Sequence, residues 1–348
     1  MKILHGPNNI TNAPRKIADL ERKKGYLSDS ISTNIREGGG NGGPSHFNSK
    51  DNLVSKILFR LKYFFLAIFY YDVLNFHVGA SLLPGNLDLP VYKLFGKKVI
   101  MHYYGSEVRL MKELKRINPY ASLFEEDKKN HPNLDKKKVR RMKYHNRYVD
   151  FAIAPREFSF FVKKIYPKEK VIESIWCGNV LENQDNLLEK GYNYKQNKVP
   201  LILHCPTNKV TKGTKYVLRV LKNLQTKGIK FKYVLVDNLN HKELLDFMAN
   251  EVDIVLDQFL VGSYANICFE AMSLGKLVFC YVNEELHVHS TNEHPLVNSN
   301  LDDLESKLER YILDFDLRRK QASLGMAFVK KRLDKEKTIN NLNKLYID

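Results

Sequence analysis

The 348-residue sequence has few cysteines and no long apolar run. Its four cysteines lie far apart with no C-x-x-C spacing, which predicts reduced thiols and neither a zinc site nor a redox dithiol. The most apolar stretch, residues 57–74, carries Arg60, Lys62 and Asp72 and falls short of the ~20 apolar residues that span a bilayer. Because the first residues turn polar at Gly6, we expect no secretory signal. We therefore expect a cytoplasmic protein without a bilayer-spanning helix.

Glycine, proline and acidic residues are also scarce. The 18 Gly and 12 Pro exclude a collagenous or low-complexity chain. The length exceeds the ~100 to 200 residues of an ordinary domain, so we expect two domains. An excess of 56 Lys and Arg over 39 Asp and Glu gives a net charge of +17. That charge favours a polyanionic partner such as nucleic acid, anionic lipid or a sugar nucleotide.

Apolar strands and helical segments alternate through both halves of the chain, which predicts parallel α/β sheets. A glycine-rich piece at 36–48 predicts a lid or disordered loop, and a polar piece at 181–199 predicts a linker. The predicted strands are 2–5, 28–33, 73–77, 97–102, 151–154, 171–176, 201–205, 231–236, 253–256 and 277–281. The predicted helices are 12–24, 53–70, 214–227, 241–249, 264–274 and 301–313, with one more starting at 156 and a basic helical region at 318–346.

This order predicts two Rossmann-like, doubly wound domains that face a cleft. We place an N-terminal domain at 1–180 and a C-terminal domain at 200–325. A final helix, 326–348, is expected to pack back on the N-terminal domain. Ligands of doubly wound sheets bind outside the carboxyl ends of the strands, so we expect the site residues at those positions.

The segment from Leu203 to Thr214 combines a buried strand, a basic turn and a helix start. An anion there would gain from the helix dipole and from the charges of Lys209 and Lys212. The spacing is not that of a Walker loop. An ordinary solvated helix start remains the alternative.

A second informative segment, 257–276, carries Glu270 inside a helix of small and apolar residues. A carboxylate in that setting needs a partner. A neighbouring lysine or backbone group would satisfy it, and so would the vicinal diol of a ribose.

Together these segments resemble the nucleotide-binding half of the group-1, family-4-like, retaining GT-B glycosyltransferases. In that family a basic strand-to-helix turn precedes a Glu-Ala-Met-x-x-Gly-Lys signature, which is similar to residues 270–276 here. Gly6-Pro7-Asn8-Asn9 resembles the family's first loop. His102-Tyr103-Tyr104-Gly105-Ser106-Glu107-Val108-Arg109 is similar to its His-x-x-Gly-Ser-Asp-x-Arg stretch.

The resemblance implies that the C-terminal domain is nucleotide-sugar-binding and holds a nucleoside-diphosphate sugar donor, and that the N-terminal domain is the acceptor side. It also implies no cofactor and no metal. Glu270 would hold the ribose, Lys212 and Lys209 would neutralise the diphosphate, and His102 would lie over the donor sugar. Gly6 would let the backbone approach the phosphates. The other donor-binding residues implied are Thr207, Asn208, Asn266 and Ile267. We expect Glu270→Ala and Lys212→Ala each to abolish most transfer and to leave the fold intact.

Three positions depart from the family pattern. The partner of Glu270 in the common Glu-x7-Glu pair is replaced by Gly262. The arginine of the common Arg-x4-Lys pair is replaced by Thr207. The family histidine often directly precedes glycine, and Tyr104 stands there instead.

Positive charge is concentrated between Arg109 and Arg147, where 13 Lys and Arg stand against 5 Asp and Glu. This run is either a solvated helix face or a surface that meets anionic lipid. No nucleic-acid-binding motif accompanies it, so we expect no nucleic-acid partner. The helix at 53–70 is apolar almost all round, and we expect it in the core, with insertion into a membrane interface as the alternative. The residues assigned to an acceptor-side or membrane face are Lys136, Lys137, Lys138, Arg140 and Arg141.

The sequence thus predicts a metal-independent hexosyltransferase that works at the cytoplasmic face of a membrane. Its acceptor would be a glycan or a lipid-linked molecule in surface polysaccharide or glycoconjugate synthesis. Two alternatives stay open: a sugar-nucleotide epimerase on the same scaffold, and a non-catalytic subunit that binds a nucleotide sugar.

Overall fold

The computed structural model describes residues 1–9, 12–33, 46–48, 52–125, 129–174, 178–237, 239–286 and 295–347. Most of the predicted glycine-rich lid lies outside the described residues. In chain order the elements are β1 (Lys2–Gly6), α1 (Ala13–Lys23), β2 (Leu27–Ser32), β3 (His46–Asn48), α2 (Leu53–Phe69), β4 (Val73–His77), α3 (Leu89–Leu94), β5 (Lys98–His102), α4 (Met111–Ile117), α5 (Asp135–Tyr148), β6 (Phe151–Ala154), α6 (Arg156–Val162), β7 (Val171–Glu173), α7 (Gly178–Asn193), β8 (Leu201–His204), α8 (Lys209–Lys212), α9 (Thr214–Thr226), β9 (Lys232–Leu235), α10 (His241–Glu251), β10 (Ile254–Leu256), α11 (Asn266–Ser273), β11 (Leu277–Cys280), β12 (Val297–Asn298), α12 (Leu304–Leu313), α13 (Phe315–Arg332) and α14 (Lys335–Ile347).

The chain divides into two compact units, each built on its own sheet. Unit 1 comprises Met1–Leu110, Asn133–Gly178 and Lys335–Asp348, and unit 2 comprises Met111–Pro132 and Asn179–Asp334. The sheet of unit 1 has the order β3-β2-β1-β4-β5-β6-β7, and that of unit 2 has the order β12-β11-β10-β8-β9. Every strand pair is parallel. The predicted pair of doubly wound α/β sheets is therefore confirmed.

Each sheet has a point where the strand order reverses, and polar side chains lie there. In unit 1 the reversal falls between β1 and β4, whose carboxyl ends carry His5 and His77. In unit 2 it falls between β8 and β10, which are followed by the basic turn and by Asp257. Crevices at such points are the usual ligand sites of open α/β sheets.

The segment that we expected to act as a linker is largely helical. Helix α7 buries Leu187 and Leu188. It also brings Gly191 so close to α11 that a Cβ on this glycine would lie 2.5 Å from the Ser273 carbonyl oxygen. The pattern was hard to recognise because only a few apolar residues interrupt a run of Asn, Gln and Lys.

Helix α14 returns to unit 1, where Ile339, Leu342 and Tyr346 pack with Ile3 and Val73 in one apolar cluster. These three residues follow a spacing of three and four, so they lie on one face of the helix. The chain therefore begins and ends in the same unit.

Our expectation that helix α2 lies in the core is wrong. Of its 17 residues, Tyr63, Ala67 and Ile68 are buried. Large apolar side chains on the opposite face, such as Phe69 at 75% exposure, lie open to solvent. Composition cannot distinguish a helix that is covered on all sides from one that is covered on a single side.

Candidate active site

The basic turn after β8 is built by two local features. Asn208 precedes α8 and its side chain accepts a hydrogen bond from the Thr211 N–H at 2.9 Å, a standard N-terminal cap. Gly213 then takes a positive φ of 77°, which separates the four-residue α8 from α9. A Cβ there would lie 3.1 Å from Leu260 Cγ, so this close contact and the positive φ both favour glycine.

Lys212 is buried, and its ammonium group forms an ion pair with Asp257 Oδ1. Burial disfavours the charged lysine, but the attraction of Asp257 outweighs this cost and raises the pKa of Lys212 above its usual value. The lysine is therefore cationic. We expected its charge to meet a diphosphate directly, whereas the structure places it against a carboxylate.

Asp257 joins this lysine to the start of α11. Its Oδ2 accepts hydrogen bonds from the Ala265 N–H at 2.8 Å and from Cys268 Sγ at 3.1 Å. Ala265 is the residue before α11, and Asn266 and Ile267 form its first turn. One buried ion pair thus connects the basic turn before α9 with the first turn of α11. The sequence assigned donor binding to both.

Lys209 lies in a different environment. About half of its side chain is exposed, and it pairs with Asp237 at 2.8 Å. Surface pairs of this kind are screened by solvent and contribute little, so the lysine can leave its partner at little cost. Of the two lysines predicted for the diphosphate, Lys209 is the one with a readily available side chain.

Glu270 is 3% exposed, and its Oε1 accepts a hydrogen bond from His241 Nε2 at 2.9 Å. His241 begins α10 and is about half exposed. The sequence showed the need for a partner but not its identity, because the two residues lie on different helices. The pair combines a buried carboxylate with a partly exposed imidazole, which suits recognition of neighbouring hydroxyl groups.

Gly262 occupies the place where the family pattern has a second glutamate, and the structure explains the glycine. Its φ is +81°, and a Cβ would lie 2.8 Å from Asn283 Cβ. The Asn283 N–H also donates to the Gly262 carbonyl oxygen at 2.9 Å. A glutamate does not fit into this loop without displacing Asn283.

The segment 111–132 holds this loop in place, although we had assigned it to the N-terminal domain. Asn118 Nδ2 donates to the Leu260 carbonyl oxygen at 2.8 Å, and Asn283 Nδ2 donates to that of Ile117 at 2.8 Å. Tyr120 donates its hydroxyl to Asp302 at 2.8 Å. These are side-chain contacts between distant positions, which sequence patterns do not show.

Cys268 and Cys280 meet beside Asp257, with ligand atoms of all three residues within 4.8 Å of one another. Distant spacing had led us to expect no cysteine cluster, because a fold can join positions that the sequence separates. Burial raises the pKa of the Cys268 thiol well above its usual value, which keeps it protonated. Lys212 already supplies the cation at this carboxylate, so the donor set does not require a metal.

In unit 1, His102 ends β5 and is 5% exposed. Its Nε2–H donates to Asn75 Oδ1 at 3.0 Å, and its ring stacks on His77 with 4.4 Å between centroids. Burial lowers the pKa of His102 to about 3, with a further contribution from His5. His102 is therefore neutral at physiological pH.

A chain of hydrogen bonds runs behind His102. His5 Nε2–H donates to Glu21 at 2.9 Å, so its Nδ1 accepts from His77 Nε2 at 3.3 Å. His77 Nδ1 then accepts from the Tyr104 hydroxyl at 2.7 Å. Burial also lowers the pKa of His77, in agreement with a neutral ring. The sequence pointed to His102 alone and missed this network.

The C-terminal helix completes the network. Tyr346 donates its hydroxyl to Glu21 at 2.5 Å and accepts from Asn75 Nδ2 at 3.0 Å. Glu21 and Asn75 are fully buried, so each depends on these partners.

Gly6 lies at the end of β1 with a φ of +152°. A Cβ would lie 2.7 Å from the Ile31 carbonyl oxygen. Glycine is therefore needed at this position because the backbone of β1 comes close to β2. We had expected it to be needed for an approach to the donor phosphates.

Not all of the five basic residues assigned to an exposed face of α5 point outward. Lys136, Lys137 and Arg140 are exposed. Lys138 is buried and donates to the Arg109 carbonyl oxygen at 2.8 Å, and burial lowers its pKa to about 8. Arg141 turns inward to the Glu107 carbonyl oxygen at 2.6 Å. Assigning Lys138 and Arg141 to the outer face was wrong, because both satisfy carbonyl groups within unit 1.

No protein-family model matches the sequence, and no curated protein sequence matches it either. The fold, however, is similar to that of several solved structures. Sucrose-phosphate synthase from Thermosynechococcus elongatus aligns over 99% of this chain and 97% of its own, with a TM-score of 0.66 and 11% identity. Anabaena HepE in complex with UDP aligns over 99% of both chains, with a TM-score of 0.59 and 14% identity. WaaG, a glycosyltransferase involved in lipopolysaccharide biosynthesis, aligns over 98% of this chain and 99% of its own, with a TM-score of 0.57 and 11% identity. These similarities show that the chain has a GT-B fold.

Proposed function

We propose that this chain is a glycosyltransferase that moves a hexose from a nucleoside-diphosphate donor to a glycan or lipid-linked acceptor. The observation that carries the proposal is the buried Glu270 beside His241, in the unit that also presents the basic turn after β8. HepE, which has the same fold, was solved with UDP and with UDP-glucose, and this supports a UDP-sugar as the first donor to test. We further propose that transfer is metal-independent and proceeds with retention.

Glu270 would bind the two ribose hydroxyls as a bidentate acceptor. Its present partner, His241, is partly exposed, so a ribose can replace or join the imidazole without passing through the core. Hydrogen bonds to a charged group contribute about 1.5 to 3 kcal/mol each. Glu270 therefore supplies a large share of donor affinity in this proposal.

The two lysines would share the neutralisation of the diphosphate in different ways. Lys209 would contact the phosphates after leaving Asp237. Lys212 would act from behind, because its ion pair cancels the charge of Asp257 at the start of α11. Without that lysine, a carboxylate would repel an incoming diphosphate from the helix N-terminus.

His102 would contribute a neutral imidazole to the donor sugar. Its low pKa excludes a role as a cationic group at neutral pH. Its Nε2–H is held by Asn75, so Nδ1 is the nitrogen through which it would accept a hydrogen bond from a hydroxyl.

The acceptor side is proposed to lie at the cytoplasmic face of a membrane, where lipid-linked acceptors and their polysaccharide products are assembled. The exposed Lys136, Lys137 and Arg140 support this placement by their charge. Within the part of the chain that the structure describes, no helix is long and apolar enough to cross a bilayer.

Thermal unfolding with UDP, GDP, ADP and their sugars tests donor binding, since a ligand at 100 times its dissociation constant stabilises by about 2.7 kcal/mol. We expect UDP binding to weaken by about 10- to 100-fold in Glu270→Gln. Glu251→Gln, an exposed glutamate at the end of α10, is the matched control and should bind as the wild type does.

Turnover then separates the transferase from its rivals. An epimerase converts a sugar nucleotide without any acceptor, and a non-catalytic subunit binds but releases no nucleoside diphosphate. Gly262 favours the non-catalytic subunit among these alternatives, because the structure leaves no space for the family's second glutamate. Equal UDP binding by Glu270→Gln and the wild type would overturn the site assignment itself.

A further inference from the structure

Helix α2 presents an apolar stripe to solvent along most of its length. The residues of the stripe are spaced mostly by three and four, so they lie on one face, opposite the buried Tyr63 and Ala67. At 1.5 Å per residue the stripe is about 24 Å long. Its members and their exposures are Val54 66%, Ile57 49%, Leu58 62%, Leu61 41%, Phe65 55% and Phe69 75%.

The exposed surface continues from α2 onto α3. Phe69 contacts Phe95 edge to face with 6.1 Å between ring centroids, and Phe95 is 50% exposed. Leu94, at the end of α3, is 83% exposed. Soluble proteins rarely expose contiguous apolar patches beyond a few hundred Å², and larger ones mark interaction sites.

The charged residues of helix α2 have one sign. Helix α2 contains Lys56, Arg60 and Lys62 and no acidic residue. Lys62 is exposed, and its ammonium lies 5.6 Å from the Tyr63 ring. The apolar stripe is therefore accompanied by cations that would favour contact with an anionic surface.

Helix α5 adds to this charge. Helix α3 packs against both α2 and α5, and the Tyr144 hydroxyl of α5 donates to the Asn86 carbonyl oxygen just before α3 at 3.2 Å. The three helices thus form one layer of unit 1. Lys136, Lys137 and Arg140 are the exposed basic residues at the start of α5.

We propose that this layer docks on the surface of an anionic lipid bilayer, with the α2 stripe inserted among the lipid headgroups and the α5 cations beside it. The helix would lie in the plane of the interface, since it falls short of a spanning segment. A second copy of this chain is a less suitable occupant, because each copy carries a net charge of +17 and the same basic residues would oppose one another. The docking deepens the proposed placement at a membrane but does not depend on the transfer reaction.

Flotation of the full chain with liposomes tests the proposal without donor or acceptor. We expect the wild type to float with phosphatidylcholine vesicles that contain about 30% phosphatidylglycerol. It should float far less with vesicles of phosphatidylcholine alone. The triple variant Leu58→Gln/Phe65→Gln/Phe69→Gln should lower the partition coefficient at least about tenfold. Its matched control replaces three exposed apolar side chains of unit 2, Tyr192→Gln/Leu313→Gln/Leu324→Gln, and should float as the wild type does.

A second triple variant, Lys136→Gln/Lys137→Gln/Arg140→Gln, separates charge from insertion. Each lost cation should weaken binding to the anionic vesicles about fivefold and leave binding to neutral vesicles unchanged. Thermal unfolding must be unchanged in all three variants, and none of them removes a buried side chain.

Equal flotation of the α2 variant and the wild type would refute the assignment. A concentration-dependent dimer that the α2 variant abolishes would show that a second copy covers the stripe, and would equally overturn it.

Discussion

The ion pair between Lys212 and Asp257 gives the sharpest test of how unit 2 is held together. Lys212→Met keeps the apolar stem of the lysine but removes the ammonium group, so Asp257 is left as a buried carboxylate. Among the described residues, the partners that remain are the Ala265 N–H and the thiols of Cys268 and Cys280. Removing one member of a buried ion pair typically lowers the free energy of unfolding by about 3 to 5 kcal/mol. We therefore expect Lys212→Met to lose about 3 to 5 kcal/mol of unfolding free energy, in contrast to our expectation from the sequence that replacing this lysine leaves the fold intact.

A double-mutant cycle supplies the magnitude of the interaction itself. Asp257→Asn leaves the lysine buried and unpaired and should destabilise by a similar amount, whereas the double variant removes both charges. Since neither charge is then stranded, the double variant should be more stable than the sum of the two single losses by about 2 kcal/mol or more. Urea unfolding of the four proteins, followed by hydrogen exchange of the α11 amides, measures both the size and the place of the effect.

The pH dependence of the same pair has a definite sign. The pKa of Lys212 is raised in the folded state. The stabilisation by its ion pair is therefore fully present below the usual lysine pKa and is lost as the pH rises through the folded-state pKa. The wild type should therefore lose stability above about pH 10.5 by an amount that Lys212→Met does not lose. Single-variant losses below about 1 kcal/mol, or additive losses in the cycle, would refute the reasoning.

Two further predictions concern fixed positions in each unit. Gly262→Glu, which restores the family pattern, should lower stability by about 1 to 3 kcal/mol and should not raise transfer, because a Cβ there meets a neighbouring Cβ at 2.8 Å and φ is positive. Thermal unfolding and initial rates measure both effects, and an active, stable variant would contradict the packing argument. Tyr346→Phe should cost about 1 to 3 kcal/mol, because it strips a hydroxyl from the buried Glu21 and Asn75. Tyr26→Phe, on a less buried tyrosine of the same unit, is the control in the same unfolding assay.

The fold could be predicted because its signals are local. Buried parallel strands are short apolar runs, and their alternation with helices identifies two doubly wound sheets. The face that a helix buries is harder to predict. In α5 the buried positions include Lys138, Met142 and His145, of which only the methionine is apolar, so hydrophobic periodicity cannot find that face. In α2 the difficulty is the reverse, because both faces are apolar.

The candidate site was predicted only as far as single segments allow. Glu270 and Lys212 stand in recognisable motifs, but the residues that pair with them, His241 and Asp257, lie 29 and 45 positions away. Such pairings depend on how the sheet brings strand ends together. The network behind His102 was missed for the same reason, since its members come from three strands and two helices.

The return of α14 to unit 1 has a consequence for the order in which the protein is made. Tyr346 leaves the ribosome 325 residues after Glu21, the carboxylate that it satisfies. Unit 2 is complete once residue 334 has emerged, before any of α14 is available. Glu21 and the apolar surface around Ile3 therefore stay incompletely covered through most of translation. Unit 2 is expected to reach its native state first, although most of unit 1 is synthesised before it.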